Sequence, residues 1–148
     1  PQDLVDVVEW DGRDVGEDHP EAFDRVLVDA PCTGLGALRR RPEARWRRTP
    51  SDIPALTALQ RDLLASALDA VRPGGVVAYV TCSPHLAETR GVIEAVLRRR
   101  PDVTVLDAGE AVALVAPGVE DAASGPYVQL WPHRHGTDAM FVQLLTKV

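Results

Sequence analysis

Apolar residues in this chain occur in short aliphatic runs separated by stretches of helical periodicity. Residues 26–28 and 76–81 are mostly aliphatic, as is typical of strands buried inside a parallel sheet. Between them, apolar residues recur at helical spacing over residues 53–71, after Ser51 and Asp52, either of which can cap a helix. A strand, a helix and a strand at this spacing predict a parallel β-α-β crossover.

The remaining elements are predicted from weaker versions of the same patterns. They are a strand over 5–10, a helix over 88–99, a strand over 103–106 and two strands over 127–131 and 139–148. The short link between the last two strands suits an antiparallel hairpin at the sheet edge. Residues 107–125 show no pattern that identifies an element.

The chain has two cysteines, and each follows a predicted strand. Cys32 lies in Asp-Ala-Pro-Cys-Thr-Gly at 29–34, and Cys82 lies in Thr-Cys-Ser-Pro at 81–84. Pro31 ends the first strand, so the chain must turn where Asp29 and Cys32 emerge. Because ligands of open α/β sheets bind at the carboxyl ends of strands, we expect a site here. Taken alone, a cysteine such as Cys82 is more often a small buried apolar residue.

These motifs together resemble those of the RNA 5-methylcytosine methyltransferases of the NOP2/Sun group, especially the bacterial 16S rRNA cytosine-C5 methyltransferases. The resemblance extends from about Val7 to the C-terminus. It implies an α/β, Rossmann-like fold of SAM-dependent methyltransferases, present in part, with a mostly parallel sheet and an antiparallel C-terminal hairpin. Residues 1–148 would be the C-terminal part of the catalytic domain, because the family's glycine loop for the cofactor would lie upstream of Pro1.

The resemblance implies S-adenosylmethionine as cofactor and RNA, in the first place ribosomal RNA, as substrate. Cytosine C5 is a poor nucleophile, so a thiolate must first add to C6. Cys82 matches that nucleophile, and Cys32 matches the second cysteine, which assists breakdown of the adduct. Asp29 matches the acid beside the target base and the methionine end of the cofactor. Asp11 matches a residue that contacts the adenine, and Pro31 shapes the loop that holds the base.

Two further segments bear on these roles. Asp11 precedes Gly12, and by sequence alone this pair is more often a simple turn. The sequence Asp-Ala-Met-Phe at 138–141 stands where the family often has Asp-Gly-Phe-Phe, a change expected to affect packing only.

A basic segment follows the first cysteine, although the net charge of the chain is −6. Between Ala37 and Arg48 there are six arginines and one acid. Arg39, Arg40 and Arg41 are the candidates for contact with RNA phosphates. A solvated basic loop is the alternative.

Composition and cysteine spacing argue against several other classes of protein. No apolar run approaches the ~20 residues of a membrane span, and two cysteines are too few for a disulfide scaffold, which favours a reducing cytoplasm. A metal site is not expected, since the cysteines and histidines lack zinc-ligand spacing. A thiol-redox module is also disfavoured, because there is no Cys-x-x-Cys.

The favoured function is therefore a SAM-dependent RNA cytosine-C5 methyltransferase, expected to be monomeric and without a metal or membrane partner. A tRNA cytosine remains an alternative substrate. A non-catalytic RNA-binding module is a second alternative, although a binder has no need of two thiols. Only Asp11 and Asp29 of the expected cofactor contacts are present, so we expect residues 1–148 alone to bind the cofactor weakly and to be inactive.

Overall fold

The computed structural model describes residues 4–148, which form one mixed sheet flanked by helices. The strands are β1 (Phe23–Asp29), β2 (Val71–Thr81), β3 (Val103–Leu106), β4 (Ala123–Ser124), β5 (Tyr127–Gln129) and β6 (Phe141–Lys147). The α-helices are α1 (Val15–Asp18), α2 (Ala44–Arg47), α3 (Ile53–Ala70), α4 (Arg90–Leu97), α5 (Ala108–Val115) and α6 (Pro132–His135). Within this range no helix has the length and apolar character needed to cross a bilayer.

The predicted β-α-β crossover is confirmed by β1, α3 and β2. The two strands pair in parallel, with Asp29 opposite Val80. A short 3-10 turn, Pro50–Asp52, leads into the helix, and its capping box includes a hydrogen bond from the Thr49 N–H to the Asp52 carboxylate at 2.9 Å. Strand β2 begins five residues earlier than predicted, because Val71 already pairs with Phe23 of β1. Gly74, with a φ of 74°, lies in the irregular stretch between Val71 and Val76.

The sheet contains both parallel and antiparallel pairs mainly because of strand β6. The order is β1-β2-β6-β5-β4, with β3 also pairing with β6, and β6 is antiparallel to each of β2, β3 and β5. Strands β1, β2, β3 and β5 therefore share one direction, as a Rossmann-like fold requires, while β6 lies reversed between them. The predicted fold and hairpin are confirmed, with one correction. Most pairings are antiparallel, since β6 is an interior strand rather than an edge strand.

Two regions differ from the sequence prediction. The predicted strand over residues 5–10 is wrong. This segment is coil with exposed side chains. Among the described residues β1 pairs with β2 alone, and residues 5–10 pair with no strand. Residues 107–125, which showed no pattern, contain α5 and β4. The Asp107 carboxylate caps α5 by accepting the Glu110 N–H at 3.0 Å.

The core lies between the sheet and helices α3 and α4. Its centre is formed by Leu64 and Leu68 of α3, Val92 of α4, and Tyr79 and Phe141 of the sheet. This packing fixes the strand ends on one edge of the sheet. The carboxyl ends of β1 and β2 meet there, and the start of β6 joins them because Phe141 pairs with Thr81.

Candidate active site

The two cysteines lie side by side at this edge, in the loops that follow β1 and β2. Their sulfur atoms are 3.4 Å apart, within range of an S–H···S hydrogen bond. Cys32 is buried and Cys82 is half-buried, and both are free thiols. The parallel pairing of the two strands thus brings together residues that are fifty positions apart.

The two thiols differ in acidity. The hydrogen bond from Cys32 is the main cause that lowers the pKa of Cys82 to about 7, and burial and the charge of Asp29 oppose it. The same hydrogen bond, together with burial, raises the pKa of Cys32 far above its usual range. The charge rests on Cys82 because its sulfur is less buried and costs less to ionise. Near neutral pH, Cys82 is the more reactive nucleophile of the pair.

Glu88 connects the two cysteine loops and was missed in the sequence. Its carboxylate is fully buried and accepts hydrogen bonds from the Thr33 N–H at 2.8 Å, the Thr33 hydroxyl at 2.6 Å and the Ser83 hydroxyl at 2.6 Å. Gln60 of α3 donates to the same carboxylate at 3.2 Å and to the Pro31 carbonyl at 2.8 Å. One acid therefore fixes the residue after each cysteine.

Backbone contacts add a third segment to this arrangement. The Gly36 N–H donates to the Cys82 carbonyl at 2.9 Å, and the Ala139 N–H donates to the Gly36 carbonyl at 2.9 Å. A Cβ atom at Gly36 would lie 2.2 Å from the Ala139 oxygen and 2.7 Å from the Cys82 oxygen. Only glycine fits between these two segments, so Gly36, two residues after the first motif, has a packing role.

The predicted RNA-binding arginines divide into two groups. Asp138, which is almost fully buried, accepts hydrogen bonds from Arg39 Nε at 2.9 Å and from Arg40 Nε at 2.7 Å. Arg40, with Arg39, holds the pKa of Asp138 below its usual range. Asp138 is the residue that this segment shares with the family pattern, and it holds both arginines. Arg39 and Arg40 fasten their segment to the C-terminal hairpin, and contact with RNA remains a prediction for them.

Arg41 instead lines a cavity beside the thiols. This thiol cavity has a volume of about 610 Å³, in the range of small-ligand sites. Its lining includes four predicted site residues, Asp29, Pro31, Cys32 and Cys82, and the arginines Arg41, Arg47 and Arg48. Arg47 and Arg48 belong to the basic segment seen in the sequence but were not selected as contacts. The cavity thus combines a nucleophile, an acid and three cations.

Asp11, like Arg39 and Arg40, does not line the thiol cavity. Its carboxylate forms an ion pair with Arg13 at 2.5 Å, and this hydrogen-bonded partner lowers the pKa of Asp11 to about 2. The adjacent Gly12 lines a separate cavity of about 440 Å³ along β1, which we call the β1 cavity. Asp29 lines both cavities, so they are adjacent at this residue.

Metal binding has no structural support in residues 4–148. In this range no cluster of three or more His, Cys, Asp or Glu side chains is arranged to hold a metal ion.

Comparisons with known proteins identify relatives over nearly the whole chain. The chain is 58% identical over 144 residues to a Mycobacterium tuberculosis protein provisionally named a methyltransferase, covering 97% of this chain and 30% of that protein. It is 32% identical to ribosomal RNA small subunit methyltransferase F of Serratia proteamaculans, again covering 97% of this chain and 30% of the relative. The chain thus spans about a third of the length of these relatives.

A solved structure shows the same fold. NSun6 of Pyrococcus horikoshii, solved with SFG, superposes with a TM-score of 0.78 at 28% identity and covers 97% of this chain and 35% of its own. The family model described as 16S rRNA methyltransferase RsmB/F matches residues 2–146. The chain therefore belongs to the RsmB/F family of 16S rRNA methyltransferases.

Proposed function

We propose that the full-length protein methylates C5 of a cytosine in RNA, through a covalent bond between Cys82 and C6 of the base. The observation that carries the proposal is the 3.4 Å contact between Cys32 and Cys82, which lowers the pKa of Cys82 inside a cavity lined by Asp29. Residues 1–148 would form the C-terminal part of the catalytic domain. Because the chain spans about 30% of its relatives, activity is proposed for the full-length protein only.

The first step uses the thiolate of Cys82. Its sulfur bonds to C6 while the C5=C6 double bond opens, and the freed electron pair gives C5 the nucleophilic character that it lacks in cytosine. Asp29 is an exposed carboxylate on the cavity wall and would accept a hydrogen bond from the N4 amino group or from a protonated N3. That contact would orient the base and disperse the charge that builds up on its ring.

The last step returns Cys82 to its thiolate form. Once the C5 proton has passed to solvent water, its electron pair restores the C5=C6 bond and the C6–S bond breaks. The Cys32 S–H, which lies against the Cys82 sulfur, would stabilise the leaving thiolate by the same hydrogen bond that lowers the Cys82 pKa. This contact supports the assignment of Cys32 to adduct release.

The β1 cavity suits S-adenosylmethionine in part. When bound, this cofactor supplies an electrophilic methyl group. Asp29 at the junction of the two cavities would hold its methionine end close to the base, and the loop of Asp11 and Gly12 would contact its adenine. Arg13 already pairs with Asp11, so that loop is held in place before binding. Family membership and the SFG complex of NSun6 support this cofactor.

Ribosomal RNA is the proposed substrate, because the family and the Serratia relative are named for it. Bisulfite sequencing of total RNA from cells with and without the full-length gene tests this. We expect one 5-methylcytosine to disappear from 16S rRNA and to return with the wild-type gene but not with Cys82→Ala. Loss of a tRNA methylcytosine instead would redirect the substrate, and no change in any RNA would favour a non-catalytic RNA-binding module.

A further inference from the structure

A third cavity opens at the same sheet edge as the thiol cavity, under the C-terminal hairpin. It has a volume of about 270 Å³, and we call it the hairpin cavity. Pro84, two residues after Cys82, lines it, and two residues span at most about 7 Å. Gln129 of β5 and Thr81 of β2 pair with the same residue, Phe141, from opposite sides of β6. The end of β5 therefore lies two strand spacings, roughly 10 Å, from the end of β2, which Cys82 follows.

The hairpin cavity is lined in part by two aromatic side chains and one aliphatic side chain. Trp131 and Tyr127 are half-buried, and Leu86 has 60% of its surface exposed. Leu86 lies in the same short turn as Glu88. The backbone N–H of Trp131 donates to His135 Nδ1 at 2.8 Å, which holds the main chain that carries the indole. A half-buried indole beside an exposed apolar side chain offers a face on which a nucleobase can stack.

Two arginines line the same cavity, and among residues 4–148 neither has a close carboxylate partner. The Arg90 guanidinium lies 5.5 Å from the centre of the Tyr127 ring and forms no ion pair among residues 4–148. Arg134 approaches Asp121 only at 4.0 Å, and both side chains are exposed, so this pair contributes little. Cations beside an aromatic surface are the combination that binds single-stranded nucleic acid.

We propose that the hairpin cavity binds a nucleotide that neighbours the target cytosine, with its base on Trp131 and its phosphate held by Arg90 and Arg134. This proposal rests on the proposed function, since the cytosine in the thiol cavity brings its neighbour within reach. The small volume suits one base rather than an extended ligand. The hairpin cavity would therefore select which cytosine is methylated by holding the nucleotide beside it.

The test measures RNA affinity of the full-length protein, with single-stranded oligouridine that carries one central cytosine as the probe. Trp131→Ala should weaken binding about 10-fold, in line with the loss of one stacked base. Trp131→Phe should recover most of the loss, because it keeps an aromatic face. Arg90→Ala should also weaken binding, whereas Arg99→Ala, an exposed arginine after the same helix, should not.

Coupling to the neighbouring base distinguishes stacking from a general structural defect. Each nucleotide next to the cytosine is replaced in turn by an abasic unit. At one of these two positions the replacement should weaken binding to the wild type but not to Trp131→Ala. Equal losses for both proteins at both positions would overturn the proposal, as would unchanged binding by Trp131→Ala. A wild type that shows this coupling but methylates no RNA would refute the proposed function and leave the nucleotide site standing.

Discussion

The sulfur atoms of Cys32 and Cys82 lie 3.4 Å apart, each at the end of one of two adjacent parallel strands. The difference in burial between the two residues decides which thiol of this pair ionises first. Cys32 is the more buried and keeps its proton, while Cys82 is the more exposed and takes the charge. In the proposed mechanism, this hydrogen bond favours Cys82 as the nucleophile and lets Cys32 assist its later release from the base.

The first prediction concerns the pH dependence of Cys82. A lowered pKa means that the thiolate forms at lower pH, so alkylation by iodoacetamide should rise through a midpoint at about pH 7 and then level off. Cys32→Ala removes the donor, and the midpoint should move up toward the ordinary value of about 8.5. Mass spectrometry of the Cys82 peptide measures both profiles. Identical midpoints in the two proteins would show that the S–H···S bond does not control acidity.

The second prediction concerns Glu88. Glu88→Gln places an amide where the carboxylate accepts from Thr33 and Ser83, so a buried donor loses its acceptor, at a cost of about 1–3 kcal/mol in the free energy of unfolding. Urea denaturation measures this loss. Glu94→Gln, an exposed substitution on the adjoining helix, is the matched control and should change stability little. Equal effects of the two substitutions would mean that the carboxylate does not hold the cysteine loops.

The third prediction separates the arginines. Arg41 lines the thiol cavity, so Arg41→Ala should weaken RNA binding and reduce the log–log salt slope by about one unit. Arg39 is paired with Asp138, so Arg39→Ala should lower the free energy of unfolding. It should change the salt slope less than Arg41→Ala does. RNA titrations at several salt concentrations, with urea denaturation of each variant, give both readouts. A larger slope change for Arg39→Ala than for Arg41→Ala would reverse the assignment.

Much of this site could be predicted from the sequence because its main residues follow aliphatic runs. The strands before Cys32 and Cys82 carry aliphatic runs that identify them, and their parallel pairing brings the thiols together. Glu88 could not be selected, because helical periodicity does not show which polar residue near a helix start turns inward. The contact between Arg39 and Asp138 joins residues 99 positions apart, and no local pattern reports it.

The failed prediction of a strand over residues 5–10 has a different cause. The pattern there is apolar, but a strand also needs a neighbour for its backbone groups. Val7 is 92% exposed and Leu27 of β1 is 69% exposed, so apolar side chains face open space on this side of the sheet among the described residues. Sequence pattern reports the tendency to form a strand and not the presence of its partner.

The fourth prediction concerns the cofactor. Residues 1–148 alone should bind S-adenosylmethionine weakly or not at all, because Asp29 and the loop of Asp11 are the only cofactor contacts expected among them. Calorimetric titration of the isolated chain measures the affinity. Binding in the low-micromolar range would contradict this and place the main cofactor contacts within these residues.

The most direct test of the account is the separate removal of the two thiols from the full-length protein. Each variant is mixed with RNA and cofactor and analysed on a denaturing gel. Cys32→Ala should give a slow-migrating protein–RNA band, because Cys82 still attacks C6 while release is impaired. Cys82→Ala and the double variant should give no band and no methylation. A persistent band from Cys82→Ala, with none from Cys32→Ala, would contradict the account and exchange the roles of the two cysteines.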